Sequence, residues 1–90
     1  MAYSNEQEVS RGNQAKLLLE NPMFDDAFKS IESEIMAAWE STSTRDTEGR
    51  EKLFQMLMLS RKVRRHFESL INTGEMARRT LADVVRRERL

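Results

Sequence analysis

The sequence predicts an all-α chain, organised as an antiparallel, coiled-coil-like helical hairpin with a short N-terminal helix and a basic C-terminal helix. Three observations carry that prediction. Glycine and proline number only three and one in 90 residues, while good helix formers dominate. Apolar residues recur at steps of three and four over one long stretch. Finally, the one proline sits where one helix would close and another open.

The long stretch is DTEGREKLFQMLMLSRKVRRHFESLINT, residues 46–73. Leu53, Met56, Ser60, Val63, Phe67 and Leu70 form its seam, in which only Ser60 is polar. At 1.5 Å per residue this helix is a rod about 40 Å long, and the upstream elements are expected to pack against it.

Residues 1–10 are polar and are expected to be frayed or disordered. A short helix should follow from about Gln7 to Glu20, with Val9, Ala15, Leu18 and Leu19 as a weak apolar side. Asn21-Pro22 ends it, because proline pushes the preceding residue out of the αR region. Asn is a favoured N-cap and Pro a favoured first helical residue, so the same dipeptide should open the next helix.

That second helix, Pro22–Ser41, repeats Phe24, Phe28, Ile31, Ile35 and Ala38 at steps of four and three, with Ala27 and Trp39 widening the stripe. STSTRDTEG is a connector rich in turn formers, and Asp46 or Thr47 can cap the rod. A connector this short makes its flanking helices antiparallel neighbours. Asn72-Thr73-Gly74 reads as a stop, with Gly74 free to adopt αL and Thr73 able to cap a last helix over Glu75–Arg89. The organisation expected is therefore a loose tail (1–10), a hairpin core (11–74) and a basic C-terminal helix (75–90).

Several chemistries find no support. The chain has no cysteine, hence no disulfide framework or thiolate metal site. His66 is the only histidine, and the Glu-x-x-His of di-iron bundles fails because Val63 stands where the Glu belongs. Glu32, Glu34, Glu48 and Glu51 have no reason to converge, and glycines at 12, 49 and 74 make no phosphate loop. A thin hairpin has little room for a substrate pocket. The expectation is a non-enzyme with no cofactor, metal or small-molecule substrate. With no apolar h-region and no run near the roughly 18 residues of a membrane span, it is expected to be soluble, intracellular and off the membrane.

Net charge is zero but unevenly spread. Residues 1–60 carry six Lys+Arg against eleven Asp+Glu, and residues 61–90 carry nine against four. Arg61, Lys62, Arg65, Arg78, Arg79, Arg86 and Arg87 are the candidates for contact with an acidic protein or with nucleic acid. Base readout is disfavoured, since only Phe67 lies among them and it belongs to the seam. A helix-turn-helix aligned on Gly74 puts Leu70 and Thr80 at the wrong kinds of position. Non-specific nucleic-acid contact stays open.

The run Leu53-Phe54-Gln55-Met56-Leu57-Met58-Leu59 is apolar nearly all round. If Leu53 and Met56 face the hairpin partner, Phe54 and Met58 face elsewhere. Either another helix of the chain covers them or a partner does, since aromatics and Met are enriched at protein interfaces. Trp39, Phe54 and Met58 are the candidate association residues. The partner expected is a second copy of the chain, a larger protein, or both.

RGNQAKLLLENPMFDDAF, AAWESTSTRDTEGREKLF and VRRHFESLINTGEMA resemble small all-helical proteins of tailed bacteriophages. The shared pattern is an LLxNPxFxxAF opening, a DxxxREKL middle and a Gly-x-x-Ala close, covering about residues 11–77. Leu18, Leu19, Asn21, Pro22, Phe24, Ala27, Phe28, Asp46, Arg50, Glu51, Leu53, Gly74 and Ala77 carry it. The resemblance implies a phage gene of the virion-assembly or packaging region, acting in the host cytoplasm or within the virion. It brings no established activity and no functional residues. Phage proteins of this size also include host-directed inhibitors, which sets a third expectation, an inhibitor docking on a host or phage enzyme, beside assembly and nucleic-acid binding.

Overall fold

A computed structural model describes residues 2–89. Three helices follow in order: α1 (Asn5–Glu20), α2 (Pro22–Ser41) and α3 (Thr47–Glu88). The all-α class and the helical hairpin stand. α3 is the rod, 42 residues and about 60 Å long. α1 and α2 lie end to end along it, both antiparallel to it, so the molecule measures 68 × 25 × 18 Å. Its radius of gyration is 19.3 Å, against about 12 Å for a compact domain of this length.

Local chemistry sets the helix ends. Ser4 and Gln7 form a capping box, with the Ser4 hydroxyl accepting from Gln7 N–H and the Gln7 side chain accepting from Ser4 N–H. That box starts α1 at Asn5, so residues 5–10 are helical and not part of the expected frayed tail; Met1 lies outside the described residues. Asn21 is the only residue between α1 and α2. Its N–H donates to Leu18, and its side chain accepts from Met23 N–H at 2.9 Å. Asp46 accepts from Gly49 N–H at 3.0 Å and starts α3.

The expected stop at Asn72-Thr73-Gly74 is absent. The C-terminal basic segment is helical, as expected, but it is the last part of α3 and not a separate helix; Leu90 lies outside the described residues. Gly74 keeps a negative φ and is among the few buried residues. The reason lies across the interface, where Gly12 of α1 meets it. A methyl added to Gly12 would stand 3.1 Å from Gly74 Cα, and one added to Gly74 would stand 3.0 Å from the Glu8 carbonyl oxygen. Ala15 and Ala77 are buried beside them. Two Gly-x-x-Ala faces thus let two backbones touch, and the cost of glycine inside a helix (about 1 kcal/mol) is offset by close packing.

α1 is consequently the tightest neighbour of α3, and α2 lies farther off. α2 buries only Ile35. Phe24, Phe28 and Phe67 form an edge-to-face cluster at the meeting of the three helices, with centroids 5.1 and 5.7 Å apart. Arg64 donates to Asp25 at 2.7 Å and Arg61 to Glu32 at 3.3 Å, lacing α3 to α2. Lys29 also reaches Asp25, at 2.8 Å. The bonds from Lys29 first and then Arg64 hold the Asp25 carboxyl below its ordinary range, and the Asp25 carboxylate in turn raises the Lys29 ammonium above its own.

Candidate functional site

The α2/α3 pair is a single layer of two helices, open along both edges of its seam. On one edge lies a cleft of about 200 Å³ lined by Ile35, Met36, Trp39, Leu53, Phe54 and Leu57. On the other lies a shallower groove of about 370 Å³ lined by Ile31, Ile35, Met56, Leu59, Ser60 and Val63, with Phe28 at one end. Ile35, the one large side chain that α2 buries, lines both.

The periodicity explains the two openings. At about 100° per residue, Phe54 and Leu57 leave α3 on one side, and Met56, Leu59 and Val63 on the other. One helix of ordinary width cannot cover both. Phe54 remains 57% exposed, and Trp39, held down by the Arg50 guanidinium 3.9 Å over its ring, 39%. Arg50 is itself anchored to the Thr42 hydroxyl at 3.2 Å.

Of the three association candidates, Trp39 and Phe54 share the cleft, whereas Met58 is half-buried and lines neither opening. The groove went unanticipated. Met56 and Val63 were expected inside the seam, yet they are 54% and 41% exposed, and Leu59 is 63% exposed. A signal for it was present: Leu59 follows Met56 by three residues and precedes Val63 by four. Ser60, the polar break in the seam, points its hydroxyl into this region, shielded from solvent and without a hydrogen-bond partner.

The basic candidates divide into two sets. Arg61 pairs with Glu32, Arg86 pairs with Asp83, and Arg78 bonds both Glu75 and Asn13 of α1. Lys62, Arg65, Arg79 and Arg87 are exposed and form no ion pair among the described residues. These four follow the side of α3 roughly opposite the groove, spread over about 38 Å. His66 is exposed, its ring edge-on to Phe67.

No group of three or more His, Asp or Glu side chains converges in a metal-binding arrangement among the described residues. No helix there is long and apolar enough to cross a membrane. The fold and its two apolar openings define a helical layer with both faces uncovered. No protein-family model, curated protein or solved structure matches the chain.

Proposed function

We propose that the protein is a non-enzymatic, self-associating helical building block, acting through protein–protein contacts. The observation that carries this reading is the two-sided opening of the α2/α3 layer. Its apolar rims (Trp39 and Phe54 on one edge, Met56 and Leu59 on the other) leave large hydrophobic side chains exposed side by side, the kind of surface that partners cover. The chain exposes 7325 Å², about 1,800 Å² more than a compact protein of its mass. The bacteriophage resemblance supports placing such assembly in a virion or its precursor.

Light scattering over a concentration series, with mass spectrometry of purified particles from cells expressing the protein, tests this. Association that strengthens with concentration, and presence in particles, are the expected results. A single-copy species at all concentrations would sink the reading. A stable complex with one host enzyme, without self-association, would favour the inhibitor class.

A second reading draws on Lys62, Arg65, Arg79 and Arg87, basic candidates that form no ion pair among the described residues. Four phosphate contacts would give non-specific duplex binding whose affinity falls about 100-fold between 50 and 200 mM salt. Fluorescence anisotropy with a labelled random duplex checks it, with Arg65→Glu/Arg79→Glu as the variant that should lose binding. An interaction indifferent to salt would argue against it.

A further inference from the structure

We propose that the bare face of α3 lies lengthwise along a B-form DNA duplex, its cations bridging both strands over one helical turn. This rests on the duplex-binding reading and adds which duplex form is bound and how the rod sits on it.

The face comes first. At about 100° per residue, Lys62, Arg65, Arg79 and Arg87 leave α3 within one strip about 100° wide. Ser69, Asn72, Met76, Thr80 and Asp83 complete the strip, and all of its residues are exposed. Asp83 is its one carboxylate, and Arg86 holds it at 3.2 Å. Gly74, where α1 touches the rod, lies about 170° around the helix from the middle of the strip. α1 therefore does not stand between these cations and a partner.

Composition narrows the partner. The strip has no aromatic side chain on which single-stranded bases could stack. Its one apolar member, Met76, is too little to seat a helix on a lipid surface. What it offers is a set of phosphate contacts. An acidic protein has no set spacing of charge, whereas a duplex does.

Spacing selects the duplex form. Arg65 and Arg79 stand about 21 Å apart along the helix axis, and Arg79 and Arg87 about 12 Å, so the three span about 33 Å. One turn of B-form DNA is about 34 Å, and its two grooves, about 12 and 6 Å wide, divide that turn unequally. A rod laid parallel to the duplex axis crosses one strand, the major groove, the other strand, the minor groove and the first strand again. Arg65 with Lys62 beside it, Arg79 and Arg87 meet those three strand crossings in order. The rod holds this spacing because α3 runs unbroken for 42 residues in a molecule 68 Å long.

Relocating one charge tests this on the full chain, by fluorescence anisotropy with a labelled random DNA duplex of about 16 bp, one and a half turns. Wild type should show a slope of log affinity against log salt of about −3.6, from four contacts at about 0.9 each. Met76→Arg/Arg87→Gln keeps the charge of the strip but shortens its span from about 38 to about 26 Å. Its slope should fall to about −2.7, the value expected of Arg87→Gln alone. An RNA duplex of the same sequence should bind wild type more weakly, because the A-form major groove is narrow and the minor groove wide. Thr80→Arg/Arg87→Gln repeats the relocation should the first variant lose helicity by circular dichroism.

A relocated charge that leaves slope and affinity at wild-type values, or equal binding of the RNA duplex, would overturn the lengthwise alignment while leaving duplex binding standing. A wild-type protein that binds no DNA at 50 mM salt would overturn both.

Discussion

Gly12 and Gly74 meet across the α1/α3 crossing with no side chain between them: a methyl on Gly12 would stand 2.9 Å from the Leu70 carbonyl oxygen and 3.1 Å from Gly74 Cα. Both obstacles are backbone and cannot swing aside. Helix propensity alone favours alanine at an interior position by about 1 kcal/mol, while overpacking of this kind costs about 1–3 kcal/mol. Gly12→Ala and Gly74→Ala should therefore lower Tm in thermal melts, despite improving the intrinsic helicity of each segment. A rise in Tm would mean that the crossing is looser than its geometry implies.

Asn21 should be the most sensitive cap. It is the sole link between α1 and α2, and its side chain accepts from Met23 N–H at 2.9 Å. Asn21→Ala should cost about 1 kcal/mol in urea unfolding, with Asn21→Asp retaining most of that. An equal loss for both would remove the capping explanation.

Ser60→Ala should stabilise. The hydroxyl is shielded from solvent and unbonded, and a buried polar group without a partner costs about 1–3 kcal/mol. Alanine is also the better helix former. Chemical denaturation should show a gain of about 1 kcal/mol, and a loss would point to a hydrogen bond that the hydroxyl makes in solution.

Asp25 makes acid stability a local property. Its carboxyl, held below the ordinary 3.8 by Lys29 and Arg64, contributes stability that is present above the unfolded-state value and is lost as pH falls through the lowered folded-state value. Asp25→Asn should flatten the fall in Tm across that acid window and leave Tm nearly independent of pH between 5 and 8. An unchanged acid slope in the variant would assign the pH dependence to other carboxylates.

Much of the fold is legible from local chemistry. Asn21-Pro22 and Asp46 mark helix boundaries by residue type alone, and each does so where expected. Gly74 misleads because a glycine reads identically as a stop and as a small interior residue. What decides between them is Gly12, sixty-two residues earlier, and no local pattern supplies that contact. The repetition of Gly-x-x-Ala in RGNQA and TGEMA is the trace of it in the sequence.

The site is only half legible. Periodicity picks out the apolar sides of α2 and α3, and so exposes Trp39 and Phe54 as candidates. It does not say how wide a strip the neighbouring helix covers. α1 takes the closer position on α3, α2 covers less, and Met56, Leu59 and Val63 are left outside.

The uneven coverage of α3 also sets where the molecule yields first. Where α1 touches it backbone to backbone, the rod is clamped; where α2 rests on it through Ile35, two aromatic contacts and two ion pairs, it is not. Amide exchange should accordingly begin in α2 and the first half of α3. Any assembly that grips the α2/α3 half would then lock its own softest part, so that binding and rigidity arrive together.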